Sequence, residues 1–190
     1  MFSGKTDELI RRFEAAVASG RAVVALKPAR DNRHPADMIV SHASKRIPAV
    51  SVSSAAELFT VAARRSLVLI DEIQFFDEAL QIAIAELCAG GSEVIAVGLD
   101  YDFRGQPFAA TRDLAVEASR VTRLTAVCGR CQSPATMTQR LTGGRPAPLD
   151  DSRLVVGDRE LYEPRCDRCW REERDGPISS KERLPSQKAY

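Results

Sequence analysis

Met1-Phe2-Ser3-Gly4-Lys5-Thr6-Asp7-Glu8 opens the chain, and its Gly-Lys-Thr is the end of the pattern G-x-x-x-x-G-K-[ST]. In that pattern backbone N–H groups and the N-terminus of the following helix surround a polyphosphate, a lysine reaches the outer phosphates and a hydroxyl serves Mg²⁺. Gly4, Lys5 and Thr6 supply those last parts. The alignment puts the opening glycine two residues ahead of Met1 and predicts that the reading frame continues upstream with a short apolar strand, the alternative being a truncated, inactive copy. A bare Gly-Lys-Thr also arises by chance, so the rest of the chain has to decide.

Outward from this loop, short apolar runs alternate with helical patterns. Ala22 to Leu26, Leu67 to Ile70 and Val94 to Val97 are rich in Val and Ile and uninterrupted, as parallel strands buried on both faces must be. Between them Leu9, Ile10, Phe13 and Val17, then Leu58 and Val61, then Leu80, Ile84 and Leu87 recur at helical spacing, and Gly90-Gly91 closes the last helix. This is the pattern of an α/β fold, an open parallel sheet flanked by helices. Ligands bind beyond the carboxyl ends of such strands, and Lys27-Pro28, Asp71-Glu72 and Leu99-Asp100 fall there.

The run Leu67-Val68-Leu69-Ile70 delivers Asp71-Glu72 to its end. Beside a phosphate loop such an aspartate holds Mg²⁺, and the neighbouring carboxylate can accept the proton of an attacking hydroxyl. Asp71 is therefore the expected metal-side group and Glu72, on the other side of an extended chain, the expected base. The bland alternative is a strand end capped by solvated acids.

After about Leu124 the composition changes. Cys128-Gly129-Arg130-Cys131 and Cys166-Asp167-Arg168-Cys169 bracket a loop containing Gly143-Gly144, Pro146, Pro148 and a strand-like stretch at Leu154-Val155-Val156. Two C-x-x-C knuckles give four thiolates, a closed tetrahedral set for structural Zn²⁺ with no open position for catalysis. Cys88, among apolar residues on a helix, is expected to be a buried core thiol. From Arg171 the charged, Pro- and Ser-containing tail is expected to be disordered.

Composition narrows the partners. With 27 basic and 26 acidic residues in 190, the formal net charge is +1, which supplies no attraction to nucleic acid or an anionic membrane. The chain shows no apolar run of spanning length and no leader pattern, so a cytoplasmic protein acting on small molecules is expected.

Further residues carry a resemblance. Met1 to Thr6, Lys27-Pro28 with Asp31 and Arg33, Ser41-His42, Asp71-Glu72-Ile73-Gln74-Phe75-Phe76, Gly98-Leu99-Asp100-Tyr101-Asp102-Phe103-Arg104-Gly105-Gln106-Pro107-Phe108 and the two cysteine pairs resemble, in order and approximate spacing, the zinc-containing, cellular-type (type II) thymidine kinase family. The resemblance implies a P-loop (RecA-like) α/β domain over residues 1–124 and a small zinc-binding domain over 125–170 with a substrate-covering lasso loop; residues 171–190 form the tail. It implies transfer of the ATP γ-phosphate to the 5′-hydroxyl of thymidine or deoxyuridine, feeding deoxynucleotide salvage, with dTTP as feedback inhibitor and a homotetramer as the assembly.

Carried residue by residue, the resemblance gives Met1, Phe2, Ser3, Gly4, Lys5, Thr6, Asp71 and Arg33 to ATP and its phosphates, with Thr6 and Asp71 serving Mg²⁺, and makes Glu72 the base. Met1, Phe75, Leu99, Phe103, Phe108, Arg140 and Tyr162 would surround the nucleoside, with Val155, Val156 and Gly157 in the lasso that contacts the base through backbone. Anchored at both ends by zinc, the stretch from Arg140 to Glu163 should order with thymidine and barely respond to ATP alone. Ser41-His42 matches a family pair near a flexible loop; neither His34 nor His42 has metal-ligand spacing, and a polar structural role is expected for both. A protein of another class, an ATP-driven motor on nucleic acid with a RecA-like core and a zinc knuckle, would need a basic or stacking face for its strand. The near-zero net charge offers none.

Overall fold

The structure, a computed structural model, describes residues 1–175. In chain order its elements are α1 (Lys5–Ala18), β1 (Val23–Pro28), β2 (Met38–Val40), β3 (Arg46–Pro48), β4 (Val50–Val52), α2 (Ala55–Ala62), β5 (Leu67–Ile70), a 3₁₀ turn (Ile73–Phe75), α3 (Ala79–Ala89), β6 (Glu93–Ala96) and α4 (Ala109–Glu117). Then follow β7 (Ala126–Val127), β8 (Pro134–Ala135), β9 (Met137–Thr142), β10 (Arg145–Pro146), β11 (Tyr162–Arg165) and α5 (Asp167–Asp175).

Four strands form a parallel sheet in the order β4-β1-β5-β6. In the central strands β1 and β5 the unbroken apolar runs follow from burial on both faces. Leu26, Val68 and Ile70 pack with α2 and α3 through Leu58, Leu80 and Leu87, whereas Ala25, Leu67 and Leu69 pack with Leu9, Ile10 and the β2–β3 hairpin residues Ile39 and Ile47. The hairpin and β4 lie in a stretch without a long apolar run and were not anticipated. Ser54 caps α2, its hydroxyl accepting from the Glu57 N–H at 3.2 Å.

Helix faces needed two corrections. On α1 the inward set is Leu9, Ile10 and Ala16 with Phe13 half-buried, while Val17 is 54 % exposed. Cys88 is exposed rather than buried, because α3 turns Leu80, Ala83 and Leu87 inward and the next residue is rotated about 100° off that face. Among the described residues, no helix is long and apolar enough to cross a membrane.

The second half is antiparallel. β9 lies between β10 and β11, and β7 pairs with β8 around Cys128 and Cys131. The expected strand at Leu154-Val155-Val156 is not formed: the segment has no regular secondary structure and no ladder partner. The expected disorder from Arg171 is overturned as far as Asp175, which ends α5; the remainder of that expectation lies outside the described residues. Trp170 on α5 is buried, and its indole N–H donates to the Phe103 carbonyl at 3.1 Å. Gly105 makes this possible: its φ is +78°, and a Cβ there would sit 2.8 Å from the Trp170 ring.

Candidate active site

The carboxyl edge of the parallel sheet gathers three segments: the loop ahead of α1, the turn after β5 and the loop after β6. Gly4, at φ +79°, turns the chain into α1, and its carbonyl accepts from the Glu8 N–H at 3.0 Å. The first N–H groups of α1, on Lys5 and Thr6, have no partner within the helix, and both residues line the hollow at the sheet edge.

Glu72 follows β5 in the left-handed conformation, φ 51° and ψ 45°, not in the extended one expected. A non-glycine residue held there costs about 1–3 kcal/mol and persists only where the surroundings fix it. The surroundings do so here. One carboxylate oxygen accepts from the Arg33 guanidinium and the other from the Gln74 amide. Arg33 is itself held by Asp31 through two bonds of 2.6 and 2.9 Å, and the Gln74 carbonyl oxygen accepts from the Leu99 N–H at 3.1 Å. Asp71 caps the Glu72 N–H at 2.9 Å and faces the Thr6 hydroxyl at 3.4 Å.

The electrostatics separate the two acids. Burial alone would raise the Glu72 carboxyl, but the charges of Arg33 and Lys5 and the hydrogen bonds from Arg33 and Gln74 outweigh it and hold the group below its ordinary range. Burial, followed by the charge of Glu72, pushes Asp71 up to about 7. With both acids enclosed, the solvated strand end is excluded.

Two hollows meet at this carboxylate. The first holds about 480 Å³ of space between its lining atoms, part of it open to solvent. Phe75, Leu99, Phe103 and Phe108 form its apolar wall, Val155, Val156 and Gly157 cover it, and Tyr162 and Met1 close its sides. The second, of about 710 Å³, is lined by Met1 through Asp7, with Asp31 and Asp71 opposite. Met1, Arg33, Glu72 and Leu99 belong to both. Of the residues expected at the site only Arg140 lines neither. It stacks on Phe103 with its guanidinium carbon 4.4 Å from the ring centroid and bonds the Ser152 carbonyl and Asp151 carboxylate. Its position is behind the wall, at the base of the lasso.

Other residues at the site had been named without a role or passed over. Arg153 bonds the buried Asp102 carboxylate at 2.8 Å and the Pro107 carbonyl at 2.7 Å, while Asp102 also accepts from the N–H groups of Arg104 and Gln106. One buried acid thus shapes the 102–106 turn and holds the start of the lasso. The Tyr162 hydroxyl donates to the Val155 carbonyl at 2.6 Å. The lasso tip reaches further than expected: Asp158 lies 3.6 Å from His42, and Arg159 lies over Phe2, 5.2 Å from its centroid. His42 packs against the same phenylalanine at 4.9 Å, and the His34 carbonyl accepts from Lys27. Thr138 on β9 accepts from the Met1 amine at 3.0 Å, a tertiary contact with no local signal in the sequence.

The four knuckle cysteines converge. The sulfur atoms of Cys128, Cys131, Cys166 and Cys169 all lie within 4.8 Å of one another, and none is in a disulfide. Four thiolates about 2.3 Å from one tetrahedral Zn²⁺ are about 3.8 Å apart, and the Cys131–Cys166 separation is 3.6 Å. The donor set fits zinc. For Mg²⁺ the fitting donors are oxygens, and the Thr6 hydroxyl and Asp71 carboxylate supply them within one hollow.

Phosphate-loop residues, an acid at a strand end, an apolar hollow sharing that acid and a cysteine cluster are thus assembled in one chain. The family model for thymidine kinase matches residues 1–170, and the chain belongs to the thymidine kinase family.

Proposed function

We propose that the protein transfers the γ-phosphoryl group of ATP to the 5′-hydroxyl of thymidine, and of deoxyuridine, giving the nucleoside monophosphate and ADP. The observation that carries this reading is Glu72, a single carboxylate forming the common wall of an apolar hollow and a phosphate-loop hollow. A flat pyrimidine buries its faces against Phe75, Phe103 and Phe108, and the lasso backbone at Val155 to Gly157 reads its edge. The sugar hydroxyl then lies toward Glu72, which takes its proton as the oxygen attacks phosphorus. Arg33 stands beside that carboxylate where charge develops, and Lys5 with the α1 N-terminus holds the phosphates being divided. Thr6 and Asp71 would hold Mg²⁺, which supplies neutralisation of phosphate charge. Zinc at the four cysteines would anchor the lasso ends and take no part in the chemistry.

The same reading makes dTTP an inhibitor, its base in the apolar hollow and its phosphates on Lys5 and Thr6, and gives the protein a homotetrameric, cytoplasmic form acting without nucleic acid or membrane partners. The test is ADP release with a panel of nucleosides. Thymidine and deoxyuridine should support it, and deoxycytidine and purine deoxynucleosides should not. Equal release with every nucleoside, or release driven by single-stranded DNA, would overturn the assignment.

A further inference from the structure

Gln74 is only 6 % exposed, although it lies in a turn at the edge of a hollow. A buried carboxamide must satisfy an acceptor and a donor end. Here the two ends are tied to different parts of the site. Its oxygen accepts from the backbone N–H of Leu99, part of the nucleoside wall, and this fixes which way the amide faces. Its nitrogen therefore points at Glu72 and donates to the carboxylate oxygen that Arg33 does not occupy. Gly98, just before Leu99, leaves room for the arrangement: a Cβ there would lie 2.5 Å from the Ile73 side chain and 3.0 Å from the Gln74 oxygen. Arg33 alone would leave the carboxylate free to rotate about its one held oxygen, on a residue whose backbone is already in the left-handed region.

Resting on the reading of Glu72 as the base, we infer that Gln74 is a positioning residue that aims the Glu72 carboxylate at the substrate hydroxyl and keeps it in register with the nucleoside wall through Leu99. It touches the base and not the reacting atoms, so its removal acts on turnover through Glu72. Misplacing a reacting group by about 1 Å costs roughly 10²-fold, and Gln74→Ala should lower kcat about 10- to 100-fold with the KM for ATP within about threefold.

Gln74→Glu separates positioning from support of the wall. Its ionised carboxylate can still accept from Leu99 but cannot donate to Glu72, so at a pH high enough to ionise it kcat should fall at least as far as in Gln74→Ala while thymidine affinity stays near that of the parent. In the Glu72→Gln background, Gln74→Ala should add less than about threefold, because groups acting as a unit are non-additive. A Gln74→Glu protein with parental kcat, or a full multiplicative loss in the double variant, would overturn the inference. Absence of thymidine turnover in the unsubstituted protein would instead overturn the functional reading. The inference would then be decided by the crystal structure of Gln74→Ala: a displaced Glu72 carboxylate supports it, and an unmoved one overturns it.

Discussion

Replacing Glu72 with glutamine removes the proton acceptor while keeping the shape of the side chain. In the structure one carboxylate oxygen faces Arg33 and the other faces Gln74. A glutamine can keep its oxygen toward Arg33, but its amide then meets the Gln74 amide donor to donor, so one hydrogen bond to a charged group, worth about 1.5–3 kcal/mol, is lost. Against this, the burial of a negative charge beside Asp71 is relieved, and Arg33 keeps its two bonds to Asp31. The net effect on folding should be small, within about 2 kcal/mol, or no more than about 8 °C in Tm for a chain of this size. Turnover is another matter. Positioned proton transfer contributes roughly 10²- to 10⁴-fold, about 2.7–5.4 kcal/mol of barrier at 1.36 kcal/mol per decade. Steady-state ADP release should show kcat reduced by that range, with thymidine and ATP binding within a few fold by calorimetry. A Glu72→Gln protein turning over within threefold of the parent would refute the assignment of the base.

Four further outcomes follow from particular contacts. Cys166→Ser with Cys169→Ser should abolish the one zinc per chain expected from metal analysis and release the lasso ends, since structural zinc contributes roughly 10–16 kcal/mol in small peptides; zinc retained by the double variant would contradict the site. Tyr162→Phe loses the hydroxyl that holds Val155 at 2.6 Å and should raise the KM for thymidine about 2- to 12-fold, the value of about 0.5–1.5 kcal/mol for one hydrogen bond, with the KM for ATP unchanged. Gly98→Ala places a methyl 2.5 Å from Ile73, and overpacking of about 1–3 kcal/mol should lower Tm by roughly 2–12 °C in a melting scan. Hydrogen exchange should slow at residues 153–157 with thymidine alone, whereas residues 158–159, in contact with Phe2 and His42, should also slow with ATP alone.

The contacts behind that last prediction show where the sequence could and could not be read. Strands buried on both faces write themselves as unbroken apolar runs, so β1 and β5 were legible in the runs from Ala22 and Leu67, while β6, half-buried at the sheet edge, was legible from its run of apolar residues starting at Val94. The cysteine spacing announced a four-sulfur cluster. The short strands β2, β3 and β4, three residues each, have too few positions to show a period. The conformation of Glu72 was read as extended because strands usually continue, and the left-handed turn depends on Gln74, Arg33 and the fit of Gly98, which are tertiary facts. Arg140 was placed near the substrate by resemblance; in the fold it bonds Asp151 and Ser152 and stacks on the Phe103 ring of the hollow's wall, contacts that the sequence does not announce. The lasso was expected to answer to thymidine or its triphosphate and barely to ATP alone, because ATP was placed at the other end of the site, on Lys5 and Thr6. Only the fold brings Asp158 and Arg159 to the phosphate loop.

The central claim is that the two hollows joined at Glu72 form one phosphoryl-transfer site. The most direct measurement is recovery of label from γ-³²P-ATP on thymidine, with the position of the phosphate fixed by NMR, in the parent and the Glu72→Gln protein. Label on the 5′-oxygen in proportion to ADP formed, and at least about 10²-fold slower in the variant, is the expected result. Label appearing only as inorganic phosphate, or reaching thymidine equally fast in both proteins, would contradict it.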